Sequence, residues 1–258
     1  MSRAVGRSIG RLVGLVVVCF VALQIGFVLQ MVAMLAFDPR STTFQRSEAW
    51  RLAFAPRPLV WQQRWLDYAA IAPNVKRAVV AAEDAGFSEH SGVEWDALEK
   101  AWERNQRAEA LAERSSERAA AEAARRRAEP KAARAAKVVG GSTITQQLAK
   151  NLFLAGERNF VRKGQELVLA YAMEAILGKQ RILEIYLNSV EWGEGVFGVE
   201  AAARRYFRTG AGALTAQQSA QLAVMLPAPK RFEKRPGSGY VMGRASTIVA
   251  RMGAVDIP

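Results

Sequence analysis

Cysteine and histidine are almost missing from this chain; each occurs once. A lone Cys19 excludes an intramolecular disulfide and any zinc site built on cysteines. A single His90 argues against a histidine-rich metal centre and against a Ser-His-Asp triad elsewhere in the chain. Apolar and polar residues nowhere alternate convincingly at period two, so no half-buried strand is expected and the fold class is mainly α. Acidic residues are also scarce relative to basic ones. There are 24 Asp and Glu against 36 Lys and Arg, a net charge of +12. Such a surface meets something acidic, either nucleic acid or an anionic membrane.

Charge is absent altogether from Leu12 to Phe37, where only Gln24 and Gln30 break the apolar run. Its 26 residues span about 39 Å as a helix, against a hydrocarbon core of roughly 30 Å, so it crosses with some tilt. Arg3, Arg7 and Arg11 precede it and hold the N-terminus in the cytoplasm. The run is too long for a signal peptide's apolar region, and no Ala-x-Ala site follows. The expected organisation is a cytoplasmic N-terminus (1–11), a transmembrane anchor (12–37), a juxtamembrane segment (38–73) and an extracytoplasmic domain (74–258). With the domain outside the cytoplasm, nucleic acid drops out as partner. The positive charge then faces lipid headgroups or an anionic lipid-linked substrate.

In the juxtamembrane segment Trp50, Trp61, Trp65 and Tyr68 suit either the headgroup level or ordinary core packing. Pro73-Asn74 opens a helix with Val75, Ala78, Val79 and Ala82 as its core face, ending near Gly86. Glu83 falls in its last turn beside Asp84. The negative helix end and the neighbouring carboxylate both raise its pKa, the tuning a general base needs; an acid with no role at a helix end would read the same. From Ala101 to Lys137 the chain turns to Ala, Glu and Arg, with ten basic and six acidic residues and nothing large and apolar after Leu111. This reads as a solvent-exposed helical insertion at about 104–137, or a partly disordered arm.

The stretch Gly140-Gly141-Ser142-Thr143-Ile144-Thr145-Gln146-Gln147-Leu148-Ala149-Lys150-Asn151 opens another helix, with Thr143 and Gln146 spaced as a capping box. Ile144, Leu148 and Leu152 make a core face, while Thr143, Gln146, Gln147 and Lys150 make a polar one. A donor-rich stripe ending in a cation suits an oxygen-rich or anionic ligand, and a capped, solvated surface helix fits the same pattern. Next comes a helix from Asn159 to Leu177 with Arg158, Arg162 and Glu166 at steps of four, a break at Gly178, and an amphipathic helix to Asn188. A glycine-rich turn from Trp192 to Gly198, a helix to Phe207, one capped by Thr215 and Gln218 and stopped at Pro227, and a last from Tyr240 to Met252 complete the chain.

In this order, five blocks resemble the peptidoglycan glycosyltransferases, most closely the monofunctional biosynthetic transglycosylases. They are Glu83-Asp84-x-x-Phe87-x-x-His90-x-Gly92; Gly140 to Asn151; Arg162-Lys163-x-x-Glu166; Arg181-Ile-Leu-Glu-x-Tyr186-Leu-Asn188; and Arg205-Tyr206-Phe207 through Leu226-Pro227. The resemblance covers about Pro73 to Met252 apart from the insertion, which is longer than the family usually shows. Glu94 stands where the family commonly has Asp. The resemblance implies a lysozyme-like, two-lobed helical domain that polymerises lipid II into glycan strands by inverting transfer from an undecaprenyl-diphosphate donor. It implies Glu83 as general base, Glu166 as a second acid on the donor side, and inhibition by moenomycin. Substrate contacts are implied for Asp84, Phe87, His90, Ser142, Thr143, Gln146, Gln147, Lys150, Asn151, Arg158, Arg162, Lys163, Arg181, Tyr186 and Asn188.

A diphosphate leaving group needs cations rather than a general acid, which suits these lysines and arginines. No metal cage is visible, though Mg²⁺ or Mn²⁺ is compatible with the diphosphate. No Ser-x-x-Lys followed by Lys-Thr-Gly is present, so no transpeptidase domain is expected. The location implied is the bacterial inner membrane, single-pass, with lipid II, the growing glycan and membrane lipids as partners. Other cell-wall synthesis and division proteins are compatible with it. Two rivals are a lysozyme-like hydrolase, which would not need the cation set, and a non-catalytic scaffold, which would not need both acids.

Overall fold

The computed structural model describes residues 3–56, 60–126, 141–154 and 160–258. Its helices are α1 (Arg3–Ala33), α2 (Thr43–Ala53), α3 (Pro73–Glu83), α4 (Trp95–Arg126), α5 (Ile144–Phe153), α6 (Phe160–Ser189), α7 (Val199–Phe207), α8 (Ala216–Met225), α9 (Pro229–Phe232) and α10 (Gly239–Arg251). Three short strands, β1 (Gln62–Gln63), β2 (Glu191–Gly193) and β3 (Val196–Phe197), form one sheet in the order β1-β3-β2. β1 runs parallel to β3, and β2 antiparallel to it. The mainly helical expectation holds, but the expectation of no strand does not. The glycine-rich turn is a hairpin whose strands, two or three residues long, are too short to show a period-two pattern.

Contacts divide the chain into two compact units. One comprises Met1–Gly92 with Ile144–Pro258, the other Val93–Thr143. In the larger unit α5 packs on α6, α3 on α8, and α8 on α10. Val75, Ala78, Val79 and Val80 of α3 are fully buried, with Ile144, Leu148 and Leu152 of α5 in the same core. The apolar face expected for α5 is therefore its core face. On α3 the expected Ala82 is exposed, and Val80 and Ala81 are buried instead, because α3 is wedged between neighbours on two sides. The helix also stops at Glu83 rather than near Gly86, with Asp84 as its C-cap.

Thr215 and Gln218 form a reciprocal capping box on α8, as the sequence suggests. Thr42 and Gln45 form another on α2, which the sequence reading passed over. Gly178 interrupts α6 with φ 72°, where the break was expected. The aromatic residues of the juxtamembrane segment split between the two readings left open for them. Trp65 and Tyr68 pack against the core, whereas Trp50 is exposed and stacked on Phe54.

Ser8–Ala33 of α1 is long and apolar enough to cross a membrane, which fits the expected anchor. It ends four residues before the expected Phe37. Arg181 explains that end: its guanidinium donates to the carbonyls of Met34 at 2.8 Å and Phe37 at 3.2 Å and pairs with Asp38 at 2.8 Å. Helix C-termini leave such carbonyls unpaired, and a cation is the natural partner. Gln24, one of the two polar residues in the run, exchanges hydrogen bonds with Gln165 of α6. Phe27 packs edge-on against Phe153 at 5.2 Å. The anchor is thus seated on α5 and α6.

In the smaller unit α4 is one 32-residue helix whose Trp95, Trp102 and Leu111 are exposed. The remainder of the expected insertion, 127–137, lies outside the described residues. Gly141 lies against α4 so closely that a Cβ there would stand 2.9 Å from Ala101 Cβ and 3.0 Å from the Ala97 carbonyl oxygen. The second glycine of the Gly-Gly pair therefore serves close packing.

Gly198 shows what a side chain costs in this fold. Its φ is +80°, and a Cβ would sit 2.6 Å from the Asn188 carbonyl oxygen. Gly198→Ala is expected to destabilise the protein by about 2 kcal/mol or more, lowering Tm by roughly 4–8 °C. Thermal unfolding followed by circular dichroism checks this; an unchanged Tm would contradict it.

Candidate active site

Three elements of the larger unit converge on Glu83. It is the last residue of α3, and its Oε2 accepts a 2.9 Å hydrogen bond from Gln147 Nε2 of α5. Gln147 Oε1 in turn accepts from the Tyr186 hydroxyl of α6 at 3.0 Å. Burial raises the Glu83 pKa, the adjacent Asp84 charge raises it further, and the Gln147 hydrogen bond opposes both. The sequence expectation was right in direction, but burial leads the causes. Tyr186 is fully buried, and burial with the nearby Glu83 and Asp84 charges lifts its pKa well above the usual range. It stays a hydroxyl donor.

Asp84 is buried and uses both oxygens. Oδ1 meets His90 Nε2 at 2.8 Å, and Oδ2 accepts the Ile144 N–H at 3.0 Å. His90 Nδ1 accepts the Gly92 N–H, so Nε2 carries the proton donated to Asp84. Asp84 therefore ties α3 to the first turn of α5, where an N–H would otherwise go unpaired.

A second acid is assembled one α5 residue away. Glu166 is 3 % exposed and pairs with Lys163 Nζ at 2.6 Å and Arg162 Nη1 at 3.1 Å. Lys163 also reaches Gln146 Oε1 at 3.4 Å. Adjacent side chains of α5, Gln146 and Gln147, thus touch the Glu166 group and Glu83 respectively. Lys150, one turn further along α5, is exposed. Both oxygens of Asp84 and both of Glu166 are engaged by protein donors.

Several residues expected to touch substrate have no surface to do so. Phe87, Tyr186 and Asn188 are fully buried. Phe87 lies beneath the Lys179 ammonium at 4.4 Å. Asn188 clamps the chain at Leu66, donating to its carbonyl and accepting its N–H, and also donates to the Glu184 carbonyl. Asp84 and His90 are spent on each other, and Arg181 is spent on the end of α1. Gln146 is 1 % exposed and Thr143 is buried, so the polar stripe is open to solvent only from Gln147 to Lys150. The sequence pattern suggested an outward stripe because periodicity does not show what covers a face. Ser142 and Thr143 belong to the smaller unit, directly before Ile144. Asn151 is half-buried near the end of α5, and Arg158 lies outside the described residues.

Sequence reasoning passed over Thr145 and Glu174. The Thr145 hydroxyl donates to Glu174 at 2.6 Å, and Lys179 donates to the same carboxylate at 2.8 Å, locking α5 to α6. A Thr facing inward beside Ile144 was the available signal.

A family model described as "Transglycosylase" matches residues 58–118 and 118–253. Among curated relatives, the "Biosynthetic peptidoglycan transglycosylase" of Burkholderia thailandensis is 46 % identical over 256 residues, covering 99 % of this chain and 90 % of the relative. The protein of that name from Cupriavidus metallidurans is 48 % identical over 259 residues, covering 98 % of this chain and 99 % of the relative. That from Bordetella pertussis is 46 % identical over 243 residues, covering 94 % and 91 %.

Proposed function

The chain belongs to the transglycosylase family, and on that premise we propose how its residues polymerise peptidoglycan glycan strands from lipid II. It is a peptidoglycan glycosyltransferase of cell-wall biosynthesis. The observation carrying the mechanism is the half-buried Glu83 carboxylate, raised in pKa and held by α5, the helix whose preceding residue contacts the Lys163–Glu166 group.

Glu83 takes the proton from the acceptor sugar's 4-hydroxyl as that oxygen bonds to the donor's anomeric carbon. The bond from that carbon to the lipid diphosphate breaks on the opposite face, inverting the centre. The departing diphosphate gathers charge, which Lys150, Arg158, Arg162 and Lys163 stabilise without donating a proton. Glu166 holds Arg162 and Lys163 in place for that role. The first turns of α6 also suit a bilayer surface: Val161 is 84 % exposed, and Val168 and Tyr171 are exposed beside it. The same helix bonds to Gln24 inside the anchor. We read membrane lipids as the partner of that face, the N-terminus as cytoplasmic and the catalytic domain as outside the inner membrane.

The test is incubation of the purified full-length protein with labelled lipid II. Long, uncross-linked glycan is expected; shortening of pre-made glycan with no polymerisation would support a hydrolase instead. In the same assay Lys150→Ala should raise KM for lipid II at least about tenfold, the worth of one charge-assisted contact, without changing Tm. Wild-type kinetics would remove Lys150 from the diphosphate site.

A further inference from the structure

We infer that Tyr186 is a positioning residue for the reaction, acting on Glu83 solely through Gln147. The inference rests on Glu83 being the base. An amide presents a donor at one end and an acceptor at the other, and either end of Gln147 could face Glu83. Only the Nε2 end favours the carboxylate. Tyr186 favours that end: its buried hydroxyl, its pKa raised by burial and the nearby carboxylates, donates to Oε1 at 3.0 Å, which leaves Nε2 facing Glu83 at 2.9 Å. The hydroxyl is supplied by α6 and the amide by α5, helices that Thr145, Glu174 and Lys179 lock together. The orientation of Gln147 is therefore tied to the packing of these two helices.

Without the Tyr186 hydroxyl, Gln147 can turn its carbonyl oxygen to Glu83. An acceptor there favours the protonated acid and disfavours the base form. The other groups facing Glu83 act in known directions. Asp84, from the end of the same helix, raises it, and Asp84 is itself bound to His90; Tyr186 faces it from α6.

The experiment is the pH dependence of kcat/KM for lipid II, whose acid limb reports the base in the free enzyme. Tyr186→Phe keeps the ring and should move that limb upward by at least about half a pH unit. Gln147→Ala should move it upward too, and adding Tyr186→Phe to Gln147→Ala should add nothing, since the effect passes through the amide. A limb unmoved in Tyr186→Phe, or a full Tyr186→Phe effect persisting in the Gln147→Ala background, overturns the relay. Glu83→Gln separates the two ideas. If it polymerises at the wild-type rate, the base assignment fails; if it is inactive while Tyr186→Phe leaves the limb in place, the relay alone fails.

Discussion

Glu83→Gln is expected to lower lipid II polymerisation by roughly a hundredfold to ten-thousandfold, the range that general base catalysis supplies, while the protein becomes no less stable. The two halves have one cause. A carboxylate whose folded pKa is raised binds its proton more tightly in the folded state than in the unfolded chain. Its ionisation therefore opposes folding. The penalty is absent below the unfolded carboxylate range, grows as pH rises, and is complete above the raised folded value. At neutral pH the wild type bears it and the amide variant does not. The amide that replaces the carboxylate also keeps an oxygen for the Gln147 Nε2–H, so no hydrogen bond must be lost. Tm of the variant should equal or exceed that of wild type at pH 7, and the difference should shrink on acidification. A Tm several degrees below wild type would contradict this account of Glu83, and wild-type turnover would remove it as the base.

Asp84→Ala is expected to do the reverse, with stability as the first casualty. It strips the acceptor from two donors at a buried position, His90 Nε2–H and the Ile144 N–H. Leaving buried polar groups unpaired after removal of a charged partner costs about 3 kcal/mol or more. That corresponds to a Tm loss of roughly 6–12 °C for a domain of this size. Asp84→Asn should fall between, because one amide oxygen can still accept from Ile144. Its amino group would meet a His90 nitrogen that already carries a proton. Asp84→Asn also removes the like charge beside Glu83, so the acid limb of the rate profile should move down, opposite to the shift expected for Tyr186→Phe. Thermal unfolding and the pH–rate profile read the two effects separately. An Asp84→Ala protein melting within a degree of wild type would refute the proposed tie between α3 and α5.

Much of the site was legible because its parts lie on helices with strong local signals. Ile144, Leu148 and Leu152 announce the inward face of α5, and Pro73 and the 3.6 period announce α3, so Glu83 lands at a helix end by counting. The glycine-rich turn was legible as a turn but not as a hairpin, since strands of two or three residues have no period. Residues quoted as a motif were harder to divide by task. Asp84, Phe87, His90, Arg181, Tyr186 and Asn188 sit in the same blocks as Glu83 and Lys163, yet they hold the frame around the site. Spacing along one helix does not say whether its polar side is covered.

By itself the sequence determined an apolar anchor, a helical domain and an acid beside a set of cations, because these depend on residue type and on spacing within single segments. Only the tertiary structure decided which polar side chains are spent on one another. Gln146 turns to Lys163 and Gln147 to Glu83; Tyr186 sets the amide; Asp84 caps α5; Arg181 ends α1. Each of these contacts joins residues between 17 and 147 positions apart in the chain. Hydrogen bonding and desolvation depend on which atoms meet, and that is a property of packing.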